Sequence, residues 1–268
     1  MEISLIIAFV AIGCGIGFLA GLLGVGGGML MVPLLTIIFT YQQFPPEHVV
    51  HIAVATGMAT IMFTSISSVR AHHFHGAVLW PVVLALTPGI LIGSFFGPMI
   101  VSGMSTSMLA ATFALFAIFS AAQMLLGAKP KATRELPGKL GLFGVGAGIG
   151  VVASMVGAGG GFISEPYMER CNVKIHNAVA TSAAVGLPIA VSGTAGFIVA
   201  GLRQSGLPLQ TLGYVYFPAL ICIAAASMLC APFGARMAHR LPVSKLKRAF
   251  ACMLLVVGGF MIWKAVKG

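Results

Sequence analysis

Two glycine runs, Gly24-Val25-Gly26-Gly27-Gly28 and Gly157-Ala158-Gly159-Gly160-Gly161, lie inside apolar stretches of this 268-residue chain. A helix that restarts after such a run, at Met29 or Phe162, has first-turn N–H groups without helical partners. They carry the positive end of the helix dipole, about +0.5 charge, and glycine lets a ligand approach the backbone closely. The chemistry these runs offer is anion binding by backbone amides. The residues expected to line it are Gly26, Gly27, Gly28 and Met29 from the first run, and Gly159, Gly160, Gly161 and Phe162 from the second. Thr56-Gly57 and Thr181-Ser182 stand at matching places in two further apolar segments, where hydroxyls can donate to an anion or bond to their own helix. Glu165 is the one acid deep in an apolar stretch, a place that usually marks a pathway or a proton relay. It reads as a coupling residue or as a neutral, hydrogen-bonded carboxyl. His51 and His176 begin the two threonine segments and read as interfacial anchors or as gates.

Most other chemistries are excluded by what the chain contains. Its acids are five glutamates (Glu2, Glu47, Glu135, Glu165, Glu169) and it has no Asp. With no paired carboxylates, no H-E-x-x-H and no G-x-x-x-x-G-K-[ST] loop, neither an enzyme nor an ATPase is expected, and no cofactor. Gly144 to Gly150 resembles a dinucleotide loop but follows no soluble strand. Cys14, Cys171, Cys222, Cys230 and Cys252 lie apart and imply neither a disulfide framework nor a redox carrier. His72, His73 and His75 could hold a transition metal, yet no carboxylate or Cys lies nearby. A metal-cation carrier using these three histidines and Glu165 is the alternative reading; no metal site is expected in the preferred one.

The elements that must position these residues are membrane helices. The chain is 59% hydrophobic and 7% charged with a mean hydropathy of +1.05, against about 25% charged residues in a soluble domain. Its +10 net charge is read as a record of membrane orientation rather than of nucleic-acid binding. The Met1-Glu2 start carries no basic n-region, so no cleaved signal peptide is expected. Apolar blocks run Ile3–Thr40, Val49–Val69, Ala77–Val101 and Ser107–Gly127. After the polar linker Ala128–Lys139 come Leu140–Met168, Ala178–Leu202, Leu212–Phe233 and Ala249–Val266. Most match the ~20 residues that cross a bilayer core, whereas the first is nearly twice too long.

The two groups of blocks repeat one another. Gly15 to Pro33 aligns without gaps on Gly148 to Pro166, with the glycine triplets in register, and His51-Ile52-Ala53-Val54-Ala55-Thr56 matches His176-Asn177-Ala178-Val179-Ala180-Thr181. Gly13, Gly17 and Gly21 and their mates Gly146, Gly150 and Ser154 form small-residue stripes that suit close helix packing. If each glycine-broken block turns back as a hairpin, 12 of the 15 Lys and Arg residues fall on one side. Single crossings split them 8 to 7. The positive-inside rule therefore favours hairpins, inverted halves and a cytoplasmic linker. The expected architecture is an all-α integral membrane protein of two inverted repeats, 1–127 and 140–268 around linker 128–139, each a Gly-tipped hairpin plus three transmembrane helices.

The duplicated G-x-G-G-G hairpins, the His-x-Ala-Val-Ala-Thr repeat and the basic central linker resemble the TauE/SafE family, the sulfite exporter and sulfonate permease group, over essentially the whole chain. The resemblance implies a permease for sulfur oxyanions or organosulfonates such as sulfite or sulfoacetate. The combined expectation is a secondary transporter or facilitator, export favoured, in the cell inner membrane with both termini periplasmic. Its partners are a small anion and membrane lipid, not nucleic acid, and its oligomeric state is open.

Overall fold

A computed structural model describes residues 3–23, 27–74, 76–126, 135–238 and 243–267. It is almost wholly helical. The elements are α1 (Ile3–Leu23), α2 (Gly28–Tyr41), α3 (Val49–Phe74), α4 (Trp80–Ser102), α5 (Thr106–Leu126), α6 (Lys139–Met155), α7 (Gly161–Arg170) and α8 (Ile175–Gly201). A two-stranded ribbon follows, β1 (Thr211–Leu212) and β2 (Val215–Tyr216), and then α9 (Phe217–Ala238) and α10 (Val243–Lys267). Among the described residues seven helices are long and apolar enough to cross a membrane: α1, α3, α4, α5, α8, α9 and α10. The over-long first block is thus two helices, as is the fifth, and each breaks at its glycine run. Gly26, one of the expected site residues, lies outside the described residues, as do His75 and most of the linker.

The main helix pairings are unchanged when α1–α5 are exchanged for α6–α10. The helix α1 packs on α9 and α6 on α4; α3 packs on α9 and α8 on α4; α3 meets α8, and α5 meets α10. The first helix of each half therefore rests on the other half. The α4–α6 seam explains why. In lipid there is no hydrophobic drive between helices, so they associate by close packing of small residues. Gly89, Gly93 and Gly97 of α4 present such a stripe to Gly146, Gly150 and Ser154 of α6. A Cβ on Gly150 would sit 2.7 Å from the Ile90 carbonyl oxygen and 2.8 Å from the Ser94 amide. The α1–α9 seam repeats this: a Cβ on Gly13 would meet Ala226 Cβ at 2.7 Å and the Ile223 carbonyl at 2.9 Å, and one on Gly17 the Ser227 backbone at 2.5 Å. Only half of this was anticipated, because the α4 stripe was not singled out.

The central helices α3 and α8 are the most enclosed. Every residue from Val49 to Ile61 is buried, as are Ala180 to Gly186. Met58 lies against Gly193 and Ser65 against Gly186, so seven residues forward in α3 is seven back in α8, and the two run antiparallel.

One block boundary differs from the sequence reading. The block expected from Leu212 begins as the β-ribbon, Thr211 pairing with Tyr216 and Leu212 with Val215, and α9 starts only at Phe217. Proline is tolerated in the first turn of a helix, where its missing N–H has no partner to lose. Pro218 therefore sits just inside α9 as Pro81 sits just inside α4.

The seams predict a sharp contrast. Gly150→Val forces a side chain into the α4 backbone and should cost about 1–3 kcal/mol, the usual penalty of overpacking. Gly148→Ala on the same helix meets nothing within 4 Å and should leave stability unchanged or improved. Thermal unfolding of the purified protein in detergent compares the two.

Candidate functional site

The two helices that follow the glycine runs, α2 and α7, start alike. Gly27 caps α2 with φ +61° and Gly160 caps α7 with φ +75°, a left-handed backbone that L side chains rarely adopt. The carbonyl of Gly27 accepts from Leu30 and Met31, and that of Gly160 from Ile163 and Ser164. Each arm thus begins with two amides, Gly28 and Met29 or Gly161 and Phe162, to which no acceptor is assigned among the described residues. Pro33 and Pro166 lie inside these arms. Lacking N–H groups, they remove the helical donors of the Met29 and Phe162 carbonyls. Exposed backbone of this kind is tolerated at membrane depth only under protein cover, and cover is present: Gly27, Gly28, Met29, Gly159, Gly160, Gly161 and Phe162 are all buried.

The tips come together. A Cβ on Gly28 would lie 2.5 Å from the Gly157 carbonyl oxygen and 2.5 Å from Ile61 Cδ1. Gly186 of α8 faces the Gly159 carbonyl, and Ile189 packs directly on Gly160. Apolar side chains of α3 and α8 therefore close the space around both tips, in contrast to the open anion cradle that the glycines alone suggest. Phe162 stacks on Phe250 of α10, centroids 5.8 Å apart at 14°. Gly57 is open by comparison, its nearest neighbours Val32 and Met31 at 3.6–3.9 Å from a placed Cβ.

Thr56 and Thr181 do something the sequence did not disclose. The Tyr216 N–H donates to Thr56 Oγ1 at 3.0 Å, and the Leu79 N–H donates to Thr181 Oγ1 at 3.0 Å. Tyr216 directly precedes α9 and Leu79 directly precedes α4. Each threonine thus takes up a backbone donor at the entry to a helix of the opposite half, fixing where that helix begins. Both are fully buried, with Ser182 beside Thr181. Asn177 adds a bond to the Ala77 carbonyl at 3.1 Å. The matching Trp80-Pro81 and Phe217-Pro218 pairs were the available signal for these entries.

The two histidines part company. His176 is exposed at the start of α8, whereas His51 is 2% exposed. Its Nε2 lies 3.1 Å from the Val101 carbonyl, its Nδ1 has no hydrogen-bond partner among the described residues, and its ring stacks on Tyr214 at 5.3 Å. An interfacial anchor does not fit that burial. Tyr214 is the tip of the β-ribbon, 1% exposed; burial pushes its hydroxyl above the usual phenol range, which leaves it a protonated donor. Glu165 is buried in α7, one residue before Pro166. His73 accepts the Trp80 indole N–H on Nδ1 at 3.2 Å. Among the described residues no three His, Cys, Asp or Glu side chains converge as a metal ion would need, and His75 of the proposed cluster lies outside them.

The paired threonines give a test. Thr56→Val and Thr181→Val each leave a buried N–H unsatisfied, at a cost of about 1–3 kcal/mol. Both should lower the unfolding temperature by similar amounts, while Thr→Ser at either position should restore most of it.

Comparison with known proteins agrees with this architecture. The family described as "Sulfite exporter TauE/SafE" matches residues 9–261. A "Probable membrane transporter protein" of Haemophilus influenzae is 34% identical over 97% of this chain and 99% of its own length. Proteins of that same description from Methanocaldococcus jannaschii and Bacillus subtilis are 26% and 27% identical, over 94% and 92% of this chain and 94% and 96% of their own lengths. No solved structure matches the chain. A multi-pass helical chain matched by this family over nearly its whole length belongs to the TauE/SafE family of membrane transporters.

Proposed function

We propose that this transporter moves a small sulfur-containing anion, sulfite or an organosulfonate such as sulfoacetate, out of the cell through the region between the two glycine tips. The observation that carries the reading is the pair of left-handed glycine caps, Gly27 and Gly160, each presenting first-turn amides to which no acceptor is assigned among the described residues. The halves are inverted about an axis in the membrane plane, which the antiparallel α3–α8 contact supports. Both termini then face the periplasm and the linker faces the cytoplasm of the inner membrane. Export follows from energetics: one negative charge leaving the cell gains ~2.3 kcal/mol per 100 mV of inside-negative potential. A facilitator could therefore export without a coupling ion. Glu165, on the second arm only, either couples a proton or serves as a neutral, hydrogen-bonded carboxyl, while Ile61 and Ile189 form the closed seal that must part for passage. The Thr56 and Thr181 pairs bond the entries that such a movement would displace.

Two measurements test this. Each helix start is worth about 0.3–2 kcal/mol to an anion. A β-branched side chain at Gly27 or Gly160 resists the left-handed turn and blocks the approach. Gly27→Val and Gly160→Val should each weaken binding of sulfite or sulfoacetate in folded, detergent-stable protein; wild-type binding by both would remove the tips from the site. Impermeant labelling of a cysteine placed at Glu135 should occur only from the cytoplasmic side, and labelling from outside would overturn the inverted arrangement.

A further inference from the structure

A cavity of about 320 Å³ lies away from the tips, where α3, α4, α5 and α10 end beside the β-ribbon; its wall includes His48, His51, Ser105, Ser107, Tyr214 and Lys264. Three features give it a sign. Its floor holds the start of α5: Ser105 accepts the Met108 N–H on Oγ at 3.2 Å and the Leu109 N–H on its carbonyl at 3.0 Å. The amides of Thr106 and Ser107, earlier in that turn, therefore remain at the positive end of a 21-residue helix. Lys264 reaches the same space from α10 and is half-buried, whereas Glu47, the one acid on the wall, is exposed at the rim. His51, 2% exposed, lines the wall, and neither its Nδ1 nor the buried Nδ1 of His48 beside it has a hydrogen-bond partner among the described residues. Ser107 and Tyr214 line the same cavity.

We infer that this cavity is a second anion site, a station for a sulfonate or similar oxyanion at the outer end of the path, separate from the glycine tips. The anion sits over the α5 start, with Lys264 and the imidazoles of His48 and His51 around it. The inference rests on the transport reading for its class of ligand, but its location does not depend on the tips. Tyr214 links it to the rest of the machinery, because the ribbon that stacks on His51 also carries the Tyr216 N–H bound by Thr56.

The test places a reporter on the wall. In Ser107→Cys protein, the modification rate is compared between 2-sulfonatoethyl methanethiosulfonate, an anion, and its trimethylammonium counterpart, with the native chain as blank. The anionic reagent should be favoured about twofold to fivefold relative to the same ratio for free 2-mercaptoethanol, the gain expected of a helix start facing the reporter. Sodium methanesulfonate should slow the reaction where equimolar chloride does not, and Lys264→Gln should reduce both effects. If Ser107→Cys does not fold, Ser102→Cys at the end of α4 places the reporter on the same cavity wall. An unchanged reagent ratio, or no protection by methanesulfonate, overturns the proposal. Protection that persists in a Gly160→Val background separates this cavity from the tips; protection lost there would overturn its independence. Intact protection beside wild-type anion binding in Gly160→Val would instead fault the tips and leave the cavity standing.

Discussion

Backbone that leaves a helix inside a membrane must be covered by protein, since lipid offers it no hydrogen bonds. This chain breaks two helices at glycine runs, and the remainder of the fold follows from covering the breaks. The central pair α3 and α8 is the cover, which is why these helices are the most enclosed and why Ile61 and Ile189 press on the tips. The covering pair must itself be held, and α4 and α9 do that across the halves. They are in turn fixed at their entries by Thr181 and Thr56. Removing either half would strip the first helix of the other from its small-residue seam. The two halves therefore form one interlocked body instead of two adjoining domains.

Much of this was legible in the sequence because glycine and proline punctuate the chain in register. The break points, the hairpin arms and the Gly146-Gly150-Ser154 stripe follow from spacing alone. What the sequence hid was partnership. Thr56 and Thr181 are hydroxyls on buried helix faces, and spacing cannot tell whether such an oxygen faces a ligand or a backbone N–H more than a hundred residues away. His51 and His176 occupy equivalent positions, yet one is buried beneath Tyr214 and the other is exposed. The difference comes from the β-ribbon, an insertion with no counterpart between α3 and α4, so it could not be read from the repeat. The opposite seam stripe on α4, Gly89-Gly93-Gly97, was legible as small-xxx-small spacing; its mates in α9, Ala226, Cys230 and Gly234, are less uniform and disguise the pairing.

The same packing sets the energetics of opening. In the closed arrangement the first-turn amides of α2 and α7 are shielded by Ile61, Ile189 and the facing backbone. A ligand can shift such an equilibrium only by the difference in its affinity for the two states. Under the proposed function an anion would gain little from the closed state, where the tips touch, and would gain from both helix starts once they separated, about 0.3–2 kcal/mol from each. That sum is comparable with the ~2.7 kcal/mol that shifts a two-state equilibrium a hundredfold. Under the proposed function the glycines would serve two ends at once: without side chains the tips meet closely enough to seal, and without side chains they would admit the anion that opens them. A β-branched residue would harm both states, which is the physical reason for glycine on each side of the contact.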